Sequence, residues 1–188
     1  MLTIEVPDLE LFNQQTEEFI YIKATTLKFE NSLVSISKWE SKWHVPFPCY
    51  QTKAIAEINE IAFTEENFID YLRCMCITQN VDPEIFKYLP YESMMAIKNY
   101  MEDPMTATKV SHIQTTQHKE RIVTNEVVYF WMTSYQIPFE AAKWHINRLL
   151  TLINVASVEN APKKKMTSAE TANKYRAINA ARRKKKPR

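Results

Sequence analysis

Four histidines and a few clustered carboxylates are the side chains of this 188-residue chain that offer acid–base or metal-binding chemistry. His112 and His118 lie in a Thr-rich stretch with Glu120 close by, a grouping that would suit a metal site or an acid–base pair. The spacing of the two histidines does not match the i, i+4 pair by which one helix presents two metal ligands. We therefore expect neither histidine to be a ligand.

His145 and the carboxylates of Glu65, Glu66 and Asp70 are the other candidates for acid–base work. Within "KWHINRLL", His145 is typical of a partly buried helix residue whose ring is hydrogen-bonded. Acidic residues near the start of a helix favour the helix dipole and solubility. The sequence thus predicts no catalytic residue, no metal site and no cofactor, and hence a protein that is not an enzyme.

The three cysteines, Cys49, Cys74 and Cys76, are too few for a disulfide framework that leaves no thiol over. We expect reduced thiols. Cys74 and Cys76 would make half of a metal site, but no second pair is visible. A helical interpretation of "YLRCMCITQ" makes both of them buried packing residues instead.

Four aromatic residues, Trp39, Trp43, Phe47 and Tyr50, follow one another closely enough to form either a core cluster or an exposed binding platform. Aromatic residues at helical spacing are more often packed inside than displayed. We expect core packing, with a partner surface as the alternative.

Glycine is absent from the chain, whereas ordinary usage of about 7% would supply about a dozen. Phosphate-binding loops, dinucleotide folds and nucleophile elbows need Gly where the backbone takes positive φ or closely approaches a ligand. Those sites are excluded in their usual form. Helix ends must use Asn, Pro or other polar caps, and a mainly helical protein is least hindered by this lack.

The elements that would position these residues begin with strands over about residues 1–30, "LTIEV" and "EFIYIKATTLKFE", because both are rich in β-branched and aromatic residues. Helices follow, with Ser32, Thr64 and Thr124 as N-caps and Asp82 capping a helix that starts at a proline. The helix "YESMMAIKNYMED" ends at Pro104. The stretch "TATKVSHIQTTQHKERIV" is predicted to be irregular, with one strand in it.

The longest predicted helix is "FEAAKWHINRLLTLINVAS". Its apolar stripe consists of Ala142, Ile146, Leu149, Leu150 and Ile153. We expect Ile146 and Leu149 to be buried against the helix "NEVVYFWMTSYQ". The predicted fold class is mainly α: a compact helical bundle with a small N-terminal β-hairpin or sheet and a basic C-terminal arm.

Charge divides the chain after Glu159. Residues 1–159 hold 13 Lys and Arg against 21 Asp and Glu, and residues 160–188 hold 11 against one, or about −8 and +10. We predict a folded body over 1–159 and a partly helical or disordered arm over 160–188. The arm is dense enough in charge to bind nucleic acid or an acidic protein surface. Its candidate partner-binding residues are Lys163, Lys164, Lys165, Arg182, Arg183, Lys184, Lys185, Lys186 and Arg188.

Membrane insertion and secretion are not indicated, because no run of 18 or more apolar residues occurs and "MLTIEVPDLE" lacks the features of a signal peptide. We expect a soluble intracellular protein. Nothing in the sequence assigns an oligomeric state.

Two stretches, "SLVSISKWESKWHVPF" and "IPFEAAKWHINRLLTLINVASVENAPKKKM" with the "ARRKKK" ending, resemble proteins of the tail-gene cluster of long-tailed bacteriophages. The resemblance is to tail assembly chaperones. It implies a mostly helical, non-enzymatic protein of the host cytoplasm that binds the tape measure and tail tube proteins during tail assembly. A longer product made by ribosomal frameshifting is also typical of that family.

Two other classes of function stay open. One is a virion structural or connector protein, which would be retained in the virion. The other is a nucleic-acid-binding module that acts through the basic arm.

Overall fold

Helices and a small set of antiparallel strands make up the part of the chain that the computed structural model describes: residues 1–13, 17–51, 56–57, 59–108, 122–160 and 172–179. The chain divides into two units, Met1–Val158 and Glu159–Arg188. The predicted mainly α class with a small β part is confirmed. No helix in these ranges has both the length and the apolar content needed to cross a bilayer.

The strands lie at the N-terminus. They are β1 (Leu2–Val6), β2 (Leu9–Asn13), β3 (Glu18–Ile22) and β4 (Thr25–Phe29). β1 pairs with β4 and β2 pairs with β3, both antiparallel. The same register runs through both pairs, from Leu2 opposite Phe29 to Leu9 opposite Ile22. The four strands therefore form one long two-stranded ribbon, here called the ribbon, which is interrupted at Pro7.

The interruption of the ribbon has a local cause. Pro7 has no N–H to donate to the ladder, and the Asp8 carboxylate accepts a hydrogen bond from the backbone N–H of Ala24 at 2.5 Å. The sequence interpretation was wrong here in two ways. It took "EFIYIKATTLKFE" as one strand, and it left "LELFN" unassigned.

The main helices are α1 (Leu33–Trp43), α2 (Glu65–Met75), α3 (Tyr91–Glu102), α4 (Asn125–Ser134) and α5 (Ile146–Asn160). Within the described residues, short 3₁₀ helices lie at Pro48–Tyr50, Pro83–Lys87 and Phe139–Lys143. Residues 172–179 of the second unit are also helical.

Most helix starts follow the predicted caps. The Ser32 hydroxyl accepts a hydrogen bond from the Ser35 N–H at 3.4 Å, and the Ser35 hydroxyl accepts one from the Ser32 N–H at 3.0 Å. The Thr64 hydroxyl caps α2 by accepting from the N–H of Asn67 at 3.3 Å. The Asp82 side chain caps the 3₁₀ helix that follows it. These predictions are confirmed.

The last helix begins later than predicted. The expected continuous helix from Phe139 is a 3₁₀ turn followed by extended residues, and α5 starts only at Ile146. His145 forms an isolated β-bridge with Ser32, and the Ile146 N–H donates to the Asn31 carbonyl at 2.8 Å. The Ile146 N–H thus donates to a residue that is distant in sequence, whereas in a longer helix it would have donated to a carbonyl of the same helix.

The core draws on the ribbon and on every main helix. Its fully buried large side chains are Phe29, Leu27, Leu33, Ile36, Trp39, Phe47, Tyr71, Leu72, Met75, Ile97, Met132 and Leu149. In the predicted stripe Ala142, Ile146, Leu149 and Ile153 are buried and Leu150 is half-buried, although Ala142 lies before α5. The burial of Ile146 and Leu149 is confirmed, whereas their packing against α4 stays a prediction.

Candidate functional site

His145 is held in a buried polar network. Its Nε2 lies 2.9 Å from the Tyr100 carbonyl oxygen, and its Nδ1 accepts a hydrogen bond from the Asn147 N–H at 3.3 Å. Because Nδ1 accepts, Nε2 carries the proton and donates to Tyr100. Burial lowers the pKa of His145, and the bond to Tyr100 opposes that shift. Both ring nitrogens are used structurally, so the expected hydrogen-bonded, buried histidine is confirmed, at the residue before α5 and not within a helix.

Asn31 extends this network to the centre of the molecule. Its amide oxygen accepts a hydrogen bond from the Tyr71 hydroxyl at 2.6 Å, and its amide nitrogen lies 3.4 Å from His145 Nε2. Burial raises the pKa of Tyr71 well above its usual value. The Tyr71 hydroxyl ties Asn31, just after β4, to α2, and the Asn31 carbonyl, which accepts from the Ile146 N–H, ties it to the start of α5. The contact between the Asn31 amide nitrogen and His145 Nε2 joins two donors and is not a hydrogen bond.

Glu40 is a buried carboxylate with two backbone donors. Its Oε1 accepts from the Phe47 N–H at 2.6 Å and its Oε2 accepts from the Asn125 N–H at 2.7 Å. Burial raises the pKa of Glu40, while both hydrogen bonds oppose the rise. A raised carboxyl pKa is a common property of catalytic bases. Here both oxygens are occupied by backbone donors, so the group joins segments of the chain.

The cleft beside Glu40 has a volume of about 490 Å³ and is also lined by His44 and Glu126. Within the described residues, no group of three or more His, Cys, Asp or Glu side chains is placed to hold a metal ion. His112, His118 and Glu120 lie outside the described residues, so the expectation for them remains a prediction.

The acidic residues of α2 have separate roles. Glu65 and Glu66 lie in its first turn, as predicted for residues that favour the helix dipole. Asp70 is buried, and it accepts a hydrogen bond from the Trp43 indole N–H at 2.9 Å and pairs with the Lys42 ammonium at 2.5 Å. Asp70 therefore anchors the end of α1 to α2, a tertiary role that first-turn reasoning missed.

Core packing of the predicted aromatic set is confirmed. Trp39 and Phe47 are fully buried, with ring centroids 5.5 Å apart and planes at 82°, and Trp43 and Tyr50 pack against the core as partly buried residues. The prediction that Cys74 and Cys76 are buried overestimated their burial. Cys74 and Cys76 are only half-buried, and Cys76 caps α2 at the point where the chain bridges to Phe29.

Three exposed aromatic residues lie together on β2 and β3. Phe12 is directly opposite Phe19, and Glu10 is directly opposite Tyr21, so these four side chains share one face of the ribbon, here called the outer face. The Phe12 and Phe19 ring centroids are 5.0 Å apart, and those of Phe19 and Tyr21 are 6.3 Å apart. The three rings are 52%, 56% and 69% exposed.

The outer face departs from the usual pattern of an antiparallel sheet. The opposite face carries Leu9, Leu11, Ile20 and Ile22, which pack against the core. The solvent side of such a sheet is normally polar. Three half-exposed rings instead present roughly 300–400 Å² of apolar surface, the size of the largest patch on a typical monomer. A patch of this kind commonly marks a protein-interaction site.

The surroundings of the outer face are acidic. Residues 1–30 contain six Asp and Glu against two Lys. Glu10 is on the face itself, and Glu17 and Glu18 are exposed at the end of the ribbon. The outer face thus combines apolar rings with carboxylates, a chemistry that suits an apolar segment carrying Lys or Arg.

Other exposed aromatic residues lie elsewhere on the first unit. Phe130 and Phe139 are 64% and 62% exposed, and the Trp144 ring lies under the Arg148 guanidinium at 4.4 Å. Phe130 projects from α4 and Phe139 from a 3₁₀ helix, and neither has a ring partner among the residues of the outer face.

Sequence reasoning missed the outer face because it never assigned β2. Once "LELFN" is paired with "EFIYI", period-two alternation alone puts Phe12, Phe19 and Tyr21 on one side and the aliphatic residues on the other. The predicted partner-binding residues of the arm, Lys163 to Lys165 and Arg182 to Arg188, lie outside the described residues.

No protein-family model matches the chain, and searches found no similar protein among curated sequences and no similar fold among solved structures.

Proposed function

We propose that this chain is a non-enzymatic tail assembly chaperone of a long-tailed bacteriophage. It acts in the host cytoplasm, where it binds the tape measure protein and the tail tube protein during tail morphogenesis. The two stretches that resemble this family motivate the proposal. The observation that carries it is the exposed outer face of Phe12, Phe19 and Tyr21 on a ribbon whose other face is packed against the core.

The outer face suits an apolar polypeptide client. A tape measure protein is a long helical polymer, as the family resemblance implies, and its apolar stripes need cover until the tail tube encloses them. An aromatic patch on a β-ribbon offers that cover without a deep pocket. The acidic charge around it steers basic segments towards the rings, which favours fast and reversible association.

The basic arm has the complementary role of recruitment. It holds eleven Lys and Arg against one acidic residue, and its described helix at 172–179 exposes Tyr175 and Ile178. We propose that its basic residues contact acidic surfaces of tail proteins through charge-assisted hydrogen bonds. The arm is distinct from the body and dispensable for its stability, because it offers little apolar surface for burial.

Nucleic-acid binding is the second candidate function, and the charge of the arm favours it. Clustered Lys and Arg bind phosphates without sequence preference and release them as salt rises. The third reading, a virion structural or connector protein, differs by its retention in purified virions.

A pull-down from phage-infected cells separates these functions, with tagged full-length chain and chain truncated after Asn160 as baits. We expect the full-length chain to recover tape measure protein, and the truncated chain to recover less of it while keeping the same thermal melting curve. Recovery of nucleic acid without tail proteins would replace the proposal with the second candidate. Equal recovery of tail proteins by both baits would remove the recruitment role of the arm and leave the chaperone assignment in place.

A further inference from the structure

We propose that the outer face of the ribbon also binds the basic arm of a second copy of this chain, so that the protein associates head to tail. The face is the one that the proposed function assigns to a client. The inference stands or falls without that function, because it needs no tail protein.

Charge complementarity within one sequence is the first support. The body carries 21 acidic against 13 basic residues, and the N-terminal 30 residues, which hold the ribbon, carry six against two. The arm carries one acidic against eleven basic residues. Opposite charges of this size on two parts of the same chain attract each other between copies, and the attraction steers the arm of one copy to the ribbon of another.

Apolar complementarity is the second support. In the helix at 172–179, Tyr175 and Ile178 are 61% and 37% exposed and lie three residues apart, on one side of the helix. Residues at that spacing have Cβ atoms about 5–6 Å apart. The two cross-strand rows of the outer face, Phe12 with Phe19 and Glu10 with Tyr21, lie about 7 Å apart along the strands. The two apolar side chains of the helix therefore span the two rows.

The cations of the same helix fit the chemistry of the face. Lys174 and Arg176 flank Tyr175 and are exposed. Lys and Arg bind over aromatic rings and pair with carboxylates, and the outer face presents both. A helix of two turns is marginal in water alone, so docking on the ribbon would also stabilise it.

The size of the face sets the strength of the contact. Roughly 300–400 Å² of apolar surface on one side is far below what a permanent dimer buries, so the association is weak and sensitive to concentration and salt. The contact joins different surfaces on the two copies, and such a heterologous contact builds short chains or closed rings beyond a dimer.

The test is the mass of the full chain in solution. We would measure light scattering from about 1 to about 200 µM at about 0.05 M and about 0.5 M salt. The ribbon variant is Phe12→Thr, Phe19→Thr and Tyr21→Thr, since Thr keeps strand propensity. The arm variant is Tyr175→Ser and Ile178→Ser. The control is Phe130→Thr and Phe139→Thr, which removes equally exposed rings elsewhere.

At low salt the wild-type mass should rise with concentration well above one chain of 22.2 kDa and fall back at high salt. The ribbon and arm variants should each stay single, and the control should associate like the wild type. An equal mixture of the two variants should return to dimers, because one supplies an intact arm and the other an intact face.

Three results would overturn the inference. The wild type could stay monomeric at every concentration, the mixture of the two variants could stay monomeric, or the control variant could lose association as the ribbon variant does. If the thermal melt shows that the ribbon variant does not fold, the mass of the arm variant in solution tests the inference.

Discussion

Glu40 and Asn125 are 85 residues apart in sequence, and the Glu40 carboxylate accepts the backbone N–H of Asn125 at 2.7 Å. Asn125 is the first residue of α4, so a side chain from α1 satisfies an N–H that a helix start leaves unpaired. Thr124 occupies the N-cap position, but its side chain makes no capping bond and donates instead to the Glu126 carboxylate at 2.7 Å. The predicted N-cap position of Thr124 is therefore right, but the prediction that its side chain makes the capping hydrogen bond was wrong.

Replacing Glu40 with Ala should destabilise the protein by at least about 1–3 kcal/mol, because it leaves the buried N–H groups of Phe47 and Asn125 unsatisfied. Urea unfolding followed by Trp fluorescence measures the change. Glu126→Ala is the control, since Glu126 lines the same cleft but is exposed. Equal midpoints for the two variants would show that Glu40 does not join the segments.

Replacing His44 with Gly should stabilise the protein by up to about 1 kcal/mol, because His44 ends α1 in the left-handed region at φ 54°. Ser41→Gly, an exposed change inside the same helix, should cost about 0.5 kcal/mol. Thermal melting of the two variants checks this opposite pair of shifts. A His44→Gly variant that melts lower than the wild type would refute the account of strain at this helix end.

The lack of glycine explains why His44 is strained and shows what the sequence can predict. The expectation that polar residues replace Gly at helix ends holds at His44, which ends α1 with positive φ. The caps at Ser32, Thr64 and Asp82 were predictable because each depends on residues within three positions. The Glu40 cap was not predictable, since it joins residues that only the tertiary fold brings together.

The same distinction applies to the candidate site. Burial of the α5 stripe followed from its helical period. Prediction of the outer face needed the register of β2 against β3, and prediction of the late start of α5 needed the hydrogen bond from the Ile146 N–H to the Asn31 carbonyl. Local signals therefore gave most elements, while strand pairing and long-range hydrogen bonds decided which residues face solvent.

His145 should make the stability of the protein depend on pH. Burial lowers its folded-state pKa below 6.5, so the unfolded chain binds a proton more readily. The stability it contributes is fully present above the unfolded pKa and is lost as pH falls through the folded pKa. The unfolding free energy measured by urea titration should be lower at about pH 5 than at about pH 7. His145→Gln, which keeps a donor for the Tyr100 carbonyl, should reduce that fall, and an equal fall in both proteins would refute the role of His145.

Replacing Leu149 with Ala should destabilise the protein by about 2–5 kcal/mol, because the side chain is fully buried in the core and its loss leaves a cavity. Val155→Ala on the same helix removes a side chain that is 36% exposed and should have a much smaller effect. Differential scanning calorimetry compares the two. A Leu149 variant that melts like the wild type would place the stripe on the surface.

The central claim is that the outer face of the ribbon is the client-binding surface, and the most direct measurement is the affinity for purified tape measure protein encoded by the same phage. Titration calorimetry would compare the wild type, the ribbon variant and the Phe130→Thr, Phe139→Thr control. The account predicts that the ribbon variant binds at least about tenfold more weakly, a loss of about 1.4 kcal/mol, and that the control binds like the wild type. A folded ribbon variant that binds as tightly as the wild type, or a wild type that does not bind at all, would contradict it.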